Sequence, residues 1–210
     1  MRMPRTLANL LTSIPFLVGL GANGPLLAAD APRWPRFHGP RGDNVSTETG
    51  LLEEWPEEGP KLLWTTQAIG QGFASVTIAE GLIYTAGDID DSNVITAIDM
   101  DGRIQWQVQN GAAWTASGPK GARGTPTLDG DRLYHENAHE EVVCLDAKTG
   151  KQIWELDLSV ELQGQKGGFG RAESLLIDGD RLICSPGGPT AVAALDKKSG
   201  RTLWKSASAG

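Results

Sequence analysis

"GTPTLDGDRLYHENAHEEVVCLDAKTGKQIWELDL", residues 124–158, is followed by a second stretch of closely similar sequence. That second stretch, "AESLLIDGDRLICSPGGPTAVAALDKKSGRTLWKSA", occupies residues 172–207. Trp154 of the first copy and Trp204 of the second stand 50 residues apart. Self-similarity at a fixed period of this length indicates a solenoid or a propeller.

A weaker copy precedes these two. It reads "ASVTIAEGLIYTAGDIDDSNVITAIDMDGRIQWQV" at residues 74–108, and its Trp106 stands 48 residues before Trp154. Trp64, in "KLLW", lies a further 42 residues upstream and resembles the tail of another copy. The repeat therefore organises most of the chain.

Each copy divides into four short segments of strand-like composition separated by turn signals, which predicts an all-β fold with one four-stranded antiparallel sheet per repeat. The last turn of the first quoted copy is "DAKTG". There the Asp146 carboxylate can accept backbone N–H groups and Gly150 can adopt the left-handed conformation. Such a turn fixes the position of Trp154, and a recurring large aromatic suits the seam between neighbouring sheets.

The sequences "DAKTGKQIW" at 146–154 and "DKKSGRTLW" at 196–204 resemble the tryptophan-docking motif of the pyrroloquinoline quinone (PQQ)-like β-propeller repeat. The earlier copy, "DMDGRIQW" at 99–106, departs from that motif by one deletion in the turn. The segment "WPRFHGPRGDNVS" at 34–46 is similar to the opening of many exported bacterial members of this superfamily. The resemblance implies a ring of about seven or eight four-stranded blades.

This resemblance divides the chain into an N-terminal extended segment at 30–60 and PQQ-like β-propeller blades at 61–210. The predicted parts of the second region are a fastening strand at 61–66, blade 1 at 72–109, blade 2 at 121–157 and blade 3 at 170–206. About three blades cannot close such a ring, so we expect a partial propeller whose missing C-terminal blades belong to a longer form of the same chain. Assembly of several copies into one ring is the alternative.

The first 29 residues have the layout of a signal peptide. Arg2 and Arg5 precede an apolar run from Leu7 to Leu20, and the small residue Ala29 ends the region. The apolar run is shorter than the ~20 residues that a membrane-spanning helix needs. We therefore predict an exported protein, periplasmic or extracellular, with no membrane span after cleavage; an uncleaved anchor is the alternative.

The charge balance bears on the partners. The chain has 26 Asp and Glu residues against 19 Lys and Arg, a net charge of −7. A field of this sign repels nucleic acid and anionic membrane surfaces, so neither is an expected partner.

The superfamily that the repeat resembles includes PQQ-dependent dehydrogenases and non-catalytic scaffolds such as an outer-membrane assembly lipoprotein. The dehydrogenases have two adjacent cysteines that close a disulfide ring over the quinone, a calcium ion and a catalytic aspartate. Cys144 and Cys184 are the two cysteines here and are not adjacent; they are either buried free thiols or a disulfide. We assign no catalytic residue, no cofactor-binding residue and no metal ligand.

These observations favour a non-catalytic binding or scaffold module without a cofactor. The alternative is the N-terminal part of a PQQ-dependent dehydrogenase, an oxidoreductase that would hold PQQ with calcium. Fold alone does not choose between these two classes.

A third class, zinc protease, is suggested by "HENAHE" at 135–140, which matches H-E-x-x-H. That chemistry needs a helix, because only a helix stacks side chains at i and i+4. Alignment of the blades instead places His135 and Glu136 at the end of a second strand and His139 in the hairpin turn that follows. We predict that this loop, which differs between blades, is part of a recognition surface.

Two further groups of polar residues have alternative interpretations. "DIDDSN" at 88–93 could bind calcium through its oxygens, but an exposed hairpin loop is favoured. Arg123, Arg171 and Glu173 precede inner strands, so they either face the central channel and contact a ligand or form a structural ion pair. We accordingly expect a protein or glycan ligand at the propeller loops or the channel mouth.

Overall fold

The computed structural model describes residues 33–208, so the predicted signal peptide at 1–29 lies outside the described residues. The described chain forms three four-stranded antiparallel sheets, each a simple meander. The predicted all-β fold of four-stranded blades is confirmed. Within residues 33–208 no helix has the length and apolar character required to cross a membrane.

Each sheet contains its strands in chain order, with the first strand innermost. Blade 1 comprises β1 (Thr77–Ala79), β2 (Leu82–Ile89), β3 (Ser92–Asp99) and β4 (Ile104–Ala112). Blade 2 comprises β5 (Thr127–Asp129), β6 (Arg132–Glu136), β7 (Glu141–Asp146) and β8 (Gln152–Asp157), and a single-turn helix, α1 (Leu158–Glu161), follows it. Blade 3 comprises β9 (Leu176–Asp178), β10 (Arg181–Cys184), β11 (Thr190–Asp196) and β12 (Thr202–Ala207).

The middle strands of each blade are buried and the outer strands are largely exposed. In β3 the residues from Asn93 to Ile98 are all buried, whereas β12 is exposed along nearly its whole length. Apolar side chains on facing sheets fill the space between blades 1 and 2 and between blades 2 and 3. This pattern follows from stacking the sheets face to face, which buries the central strands on both sides.

A tryptophan from one blade docks on the last turn of the next. The indole nitrogen of Trp106 donates to the Ala147 carbonyl oxygen at 3.1 Å, and that of Trp154 donates to the Lys197 carbonyl oxygen at 3.1 Å. Trp64 makes the equivalent bond to Met100 at 2.9 Å. The recurring tryptophans therefore lie at the seams between blades, each fixed by a hydrogen bond as well as by packing.

The segment at 61–66, predicted as a fastening strand, pairs with no strand within residues 33–208. It is held on the β3–β4 turn instead, because Trp64 binds Met100 and the Thr66 hydroxyl donates to the Gly102 carbonyl at 2.7 Å. The segment thus contributes its tryptophan to blade 1 as a preceding blade would.

Candidate functional site

The antiparallel meander gives the blades two distinct ends. We call the end that carries the β2–β3, β6–β7 and β10–β11 hairpins and the connections between blades the loop face. The opposite end, which carries the tight turns between the other strand pairs, is the turn face. Contacts such as that of the Ala113 amide with the Asp91 carbonyl, at 2.9 Å, hold the connections against the hairpins on the loop face.

Three connecting stretches interlock on the loop face, and we call them the loop platform: residues 68–76, 113–123 and 163–172. The Phe73 amide donates to the Ala122 carbonyl at 2.7 Å, which joins the first stretch to the second. The Ser117 hydroxyl donates to the Gly168 carbonyl at 2.6 Å, which joins the second to the third. The three stretches therefore form one continuous, fixed surface without regular secondary structure.

Trp114 is the central side chain of the loop platform and is 3% exposed. Its amide donates to Asp88 Oδ2 at 2.9 Å, and its indole nitrogen donates to the Ser117 carbonyl at 3.2 Å. The guanidinium of Arg123 lies 5.5 Å from the ring centroid, within the range of a cation–π interaction, and also donates to Pro119. This tryptophan is outside the repeat motif and orders the platform rather than a blade seam.

Asp88 connects blade 1 to the platform. Its second carboxylate oxygen, Oδ1, accepts from Asn93 at 2.9 Å, which closes the β2–β3 hairpin around Asp90 and Asp91. The prediction that "DIDDSN" forms a hairpin between the second and third strands is confirmed. The side-chain oxygens of Asp88 serve the hairpin and Trp114.

The "HENAHE" segment is a hairpin, as predicted, because β6 ends at Glu136 and β7 begins at Glu141. The i and i+4 histidines of the zinc motif therefore do not share a helical face. The prediction that this loop is an exposed recognition surface is wrong, because four of its residues are 1% exposed: His135, Glu136, Asn137 and Glu140. The reason is that the loop platform covers it, through contacts of Ala113 with His139 and of Arg171 with Ala138.

His135 is fixed by hydrogen bonds at both ring nitrogens. Nδ1 accepts from the Asn110 amide at 2.9 Å, and Nε2 donates to the Gly124 carbonyl at 3.2 Å. Burial lowers the pKa of His135 to about 4 and outweighs the opposing bond to Gly124. This histidine is therefore a neutral core residue at physiological pH.

A buried group of charged residues lies beneath the loop platform. Arg171 pairs with Glu140 at 3.3 Å, and Glu173 accepts instead from the Ser185 amide at 2.9 Å. Both carboxylate oxygens of Glu136 are buried and lack a hydrogen-bond partner among the described residues. Burial, reinforced by the nearby Glu173, raises the pKa of Glu136 well above its ordinary value and so favours the neutral form of its carboxyl.

The three residues singled out before the inner strands thus have different surroundings. Arg171 is in an ion pair, although with Glu140 rather than with Glu173. Arg123 lies over Trp114. No cluster of three or more His, Cys, Asp or Glu side chains with metal-binding geometry occurs within residues 33–208.

The inner edge of the blades is covered by the N-terminal segment of the same chain. Trp34 pairs with Ile78 of β1 through two backbone hydrogen bonds, of 2.6 and 2.9 Å. The Leu128 amide of β5 donates to the Pro35 carbonyl at 2.8 Å. Because inner strands face the propeller axis, this segment occupies the axial side of blades 1 and 2.

The described residues do not fit the quinone site that the superfamily implies. Cys144 on β7 and Cys184 on β10 are both free and buried, in the core between blades 2 and 3. They belong to different blades, so they do not form a ring of adjacent cysteines. Burial raises the pKa of the Cys144 thiol to about 11, so it is an unreactive core side chain.

The exposed aromatic and basic side chains of the loop platform were not predicted from the sequence. Phe73 and Phe169 are 63% and 69% exposed, and Lys120 is exposed between them along the interlocked loops. A signal was present, because the platform stretches contain four basic residues and no Asp or Glu. The basic residues are Lys120, Arg123, Lys166 and Arg171.

Three tryptophan-docked four-stranded blades define the class of this molecule as a PQQ-like β-propeller repeat protein. The sequence model of the family described as "Outer membrane protein assembly factor BamB" matches residues 41–117 and 110–210. The chain therefore belongs to this family.

Two curated relatives carry the same description. The outer membrane protein assembly factor BamB of Xanthomonas campestris is 26% identical over 160 residues, which cover 72% of this chain and 33% of that protein. The one of Burkholderia pseudomallei is 30% identical over 95 residues, which cover 44% of this chain and 22% of that protein. The matches thus span about a third and a fifth of the length of these relatives.

Among solved structures, quinohemoprotein alcohol dehydrogenase from Comamonas testosteroni is similar, with a TM-score of 0.53 and 21% identity. The match covers 70% of this chain and 23% of that one. Europium-containing methanol dehydrogenase also gives a TM-score of 0.53, at 17% identity, over 71% of this chain and 27% of that one. At these identities the likeness is one of fold.

Proposed function

We propose that this chain is part of an exported, non-catalytic binding or scaffold module that holds a protein partner on its loop platform. The observation that carries the proposal is the platform itself. Its three stretches interlock through backbone hydrogen bonds between the first and second and a Ser117 side-chain hydrogen bond between the second and third, and they present two largely exposed aromatic rings, Phe73 and Phe169. Binding residues concentrate on loops positioned by a rigid scaffold, and such large exposed apolar side chains indicate an interaction surface.

The relatives support this proposal. Two proteins named as outer membrane protein assembly factors are 26% and 30% identical to it over the matched residues, and that name describes a role in assembly rather than catalysis. The N-terminal pattern at 1–29 supports export to the periplasm or the extracellular space. Trp204 is 44% exposed, whereas Trp154 docks on blade 3. The exposure of Trp204 supports the docking of this tryptophan on a further repeat in the same way.

The proposal includes no cofactor and no catalytic residue. One ground is that Cys144 and Cys184 are free, buried and located in different blades. The other is that the polar residues singled out in the sequence have structural roles. His135 binds Asn110 and Gly124, and Asp88 binds Asn93 and Trp114. Each of these groups is thus engaged by hydrogen bonds within the fold.

The direct test is photo-cross-linking in the cells that produce the protein. A benzophenone amino acid replaces the exposed Thr115 on the loop platform or, as a matched control, the exposed Lys148 on the turn face. We expect a discrete protein adduct from position 115 and none from position 148. Equal adducts at both positions, or none at 115, would count against the proposal.

A second measurement tests the enzymatic alternative. Tryptophan fluorescence of the protein is recorded during titration with PQQ and calcium ions. We expect no saturable change, because the adjacent cysteines that cover the quinone in the dehydrogenases are missing here. Saturable binding in the micromolar range would instead favour a PQQ-dependent enzyme.

A further inference from the structure

Residues 47–58, "TETGLLEEWPEE", combine acidic and large apolar side chains, and we call them the acidic segment. The segment contains five of the chain's 26 acidic residues and no Lys or Arg. All of its residues are exposed, and no strand or helix includes them. Its side chains are therefore open to contact with another molecule along the whole segment.

Three large apolar side chains of the acidic segment lie in solvent. Leu51, Leu52 and Trp55 are 70%, 68% and 70% exposed. Even in a fully extended chain their α-carbons span at most roughly 14 Å, so one partner surface can contact all three. A run of acids alone would indicate a solvated loop. Clustered large apolar side chains among those acids indicate an interaction site instead, because their exposure to water is unfavourable.

The backbone of the acidic segment stands clear of the blades at two points. A Cβ atom on Gly50, or on Gly59 directly after the segment, would meet no atom of the described residues within 4 Å. The Gly59 amide donates to the Pro56 carbonyl at 2.8 Å, which closes a turn directly after Trp55. Because Trp55 precedes a proline, its own backbone is restricted to extended conformations. The segment thus leads into this turn as an extended peptide.

The carboxylates of the acidic segment form no ion pair with a basic side chain among residues 33–208. They belong to Glu48, Glu53, Glu54, Glu57 and Glu58. The bases that flank the segment in the sequence are Arg41 and Lys61, and Arg41 is paired with Asp43 at 2.8 Å. From residue 42 to residue 60 every charged side chain is acidic. These carboxylates can therefore accept charge-assisted hydrogen bonds from a partner.

We propose that the acidic segment docks as an extended peptide in a groove of a partner protein, with Leu51, Leu52 and Trp55 on an apolar floor. Arg or Lys side chains on the rim of the groove pair with the glutamates, so charge complementarity selects a basic partner surface. Tryptophan is a frequent anchor at such interfaces. This contact is separate from the loop platform, because the segment leads into residues 61–66, which are held on the β3–β4 turn.

Two other classes of partner fit less well. Nucleic acid and anionic membranes repel a segment whose charged side chains are all acidic. A neutral membrane attracts Leu52 and Trp55, but Glu53 and Glu54 lie between them in the sequence. Burying a charge without a partner is costly, so apolar lipid is a poor medium for this segment. A basic groove on a protein satisfies both kinds of side chain.

The test is photo-cross-linking from the acidic segment in the cells that produce the protein. A benzophenone amino acid replaces Leu52 or, as a matched control, the 76%-exposed Val160 of α1. The protein in the adduct and its cross-linked peptide are identified by mass spectrometry. That protein is then purified, and its affinity for the full chain is measured by isothermal titration calorimetry at low and high salt.

Four variants of the full chain are compared, each checked for an unchanged circular dichroism spectrum. Trp55→Ser removes an apolar contact, and Val160→Ser is its control at another exposed apolar position. The double variant Glu53→Gln with Glu54→Gln removes two neighbouring charges. Its control, Asp90→Asn with Asp91→Asn, removes two neighbouring charges from an exposed hairpin.

We expect an adduct from position 52 and none from position 160, with the cross-linked peptide on a surface of the partner rich in Lys and Arg. Trp55→Ser and the glutamate double variant should each weaken binding about tenfold, and the two controls less than twofold. The affinity of the wild type should fall as salt rises, and that of the glutamate double variant less steeply, because salt screens exposed charges. A salt dependence that the double variant leaves unchanged would overturn the inference.

The remaining outcomes also decide the matter. No adduct from position 52, equal adducts from positions 52 and 160, an adduct with a second copy of the chain or a cross-link within the chain would each overturn the inference. Binding to phosphatidylcholine vesicles that is lost in Trp55→Ser, without a protein adduct, would replace the groove with a membrane. An adduct from position 115 without one from position 52 would overturn this inference alone. The reverse result would overturn only the proposed role of the loop platform.

Discussion

The indole ring of Trp106 lies directly against the α-carbon of Gly150. A Cβ atom on Gly150 would stand 2.8 Å from Trp106 Cδ2, and the residue has a φ of +71°. The glycine is therefore required twice, by its left-handed backbone and by the ring that covers it. The same arrangement recurs between Trp154 and Gly200, where a Cβ atom would stand 3.0 Å from Trp154 Cδ2.

Gly150→Ala should destabilise the protein by roughly 2–4 kcal/mol, because left-handed strain adds to the clash with the ring. Gly130→Ala is the matched control. Gly130 also has a positive φ, of +59°, but nothing lies within 4 Å of its Cβ position. The control should cost only about 1–2 kcal/mol, from strain alone. Urea unfolding gives both values, and equal losses would show that the tryptophan contact has no part in the effect.

Asp88→Ala should destabilise the protein by about 1–2 kcal/mol, because it leaves the Trp114 amide without its acceptor. Asp91→Ala, at an exposed position in the same hairpin, is the control and should change stability by less than about 0.5 kcal/mol. Hydrogen exchange across residues 113–123 should accelerate in the first variant only. Similar exchange in both would show that Asp88 does not hold the platform.

His135 should make the protein sensitive to acid. Its folded pKa of about 4 lies below the ordinary value of 6.5, so protons bind the unfolded chain first. The contribution of neutral His135 to the free energy of unfolding is therefore complete above about pH 6.5. It declines by about 3 kcal/mol as the pH falls towards 4. In His135→Gln that part of the decline should disappear from the free energy of unfolding measured between pH 7 and 4. An unchanged slope would contradict the assignment.

Glu136 should act in the opposite direction. Its pKa is raised in the fold, so its contribution is complete below the ordinary pKa of 4.5 and is lost as pH rises towards the folded value. Over that interval the stability of the wild type should fall relative to Glu136→Gln by up to about 1.4 kcal/mol per pH unit. Urea unfolding from pH 4 to 8 measures the difference. A difference that stays constant with pH would mean that Glu136 is ionised in the fold.

The blades could be predicted from the sequence because their signals are local and repeated. The Asp146 turn, Gly150 and Trp154 lie within nine residues, and a second copy shows the same spacing. The hairpin at "HENAHE" followed from the same alignment. Repetition also gave the seam positions of the tryptophans, which a single copy would not have fixed.

The platform could not be predicted in the same way, because its stretches are not repeated and meet only in three dimensions. Burial of the "HENAHE" hairpin depends on Ala113 and Arg171, which come from two different connections. The ion-pair partner of Arg171 likewise depends on packing. Glu140 is distant from Arg171 in the sequence, but the fold brings the two side chains within 3.3 Å of each other.

Hydrogen–deuterium exchange of the full chain, with and without the protein partner captured by cross-linking at position 115, tests most directly whether the loop platform is the recognition surface. The chain mixed with a protein that gives no cross-link serves as the control. Slower exchange confined to residues 68–76, 113–123 and 163–172 is the predicted result. Protection of the turn face at 99–103 or 146–151, with the platform unchanged, would contradict it.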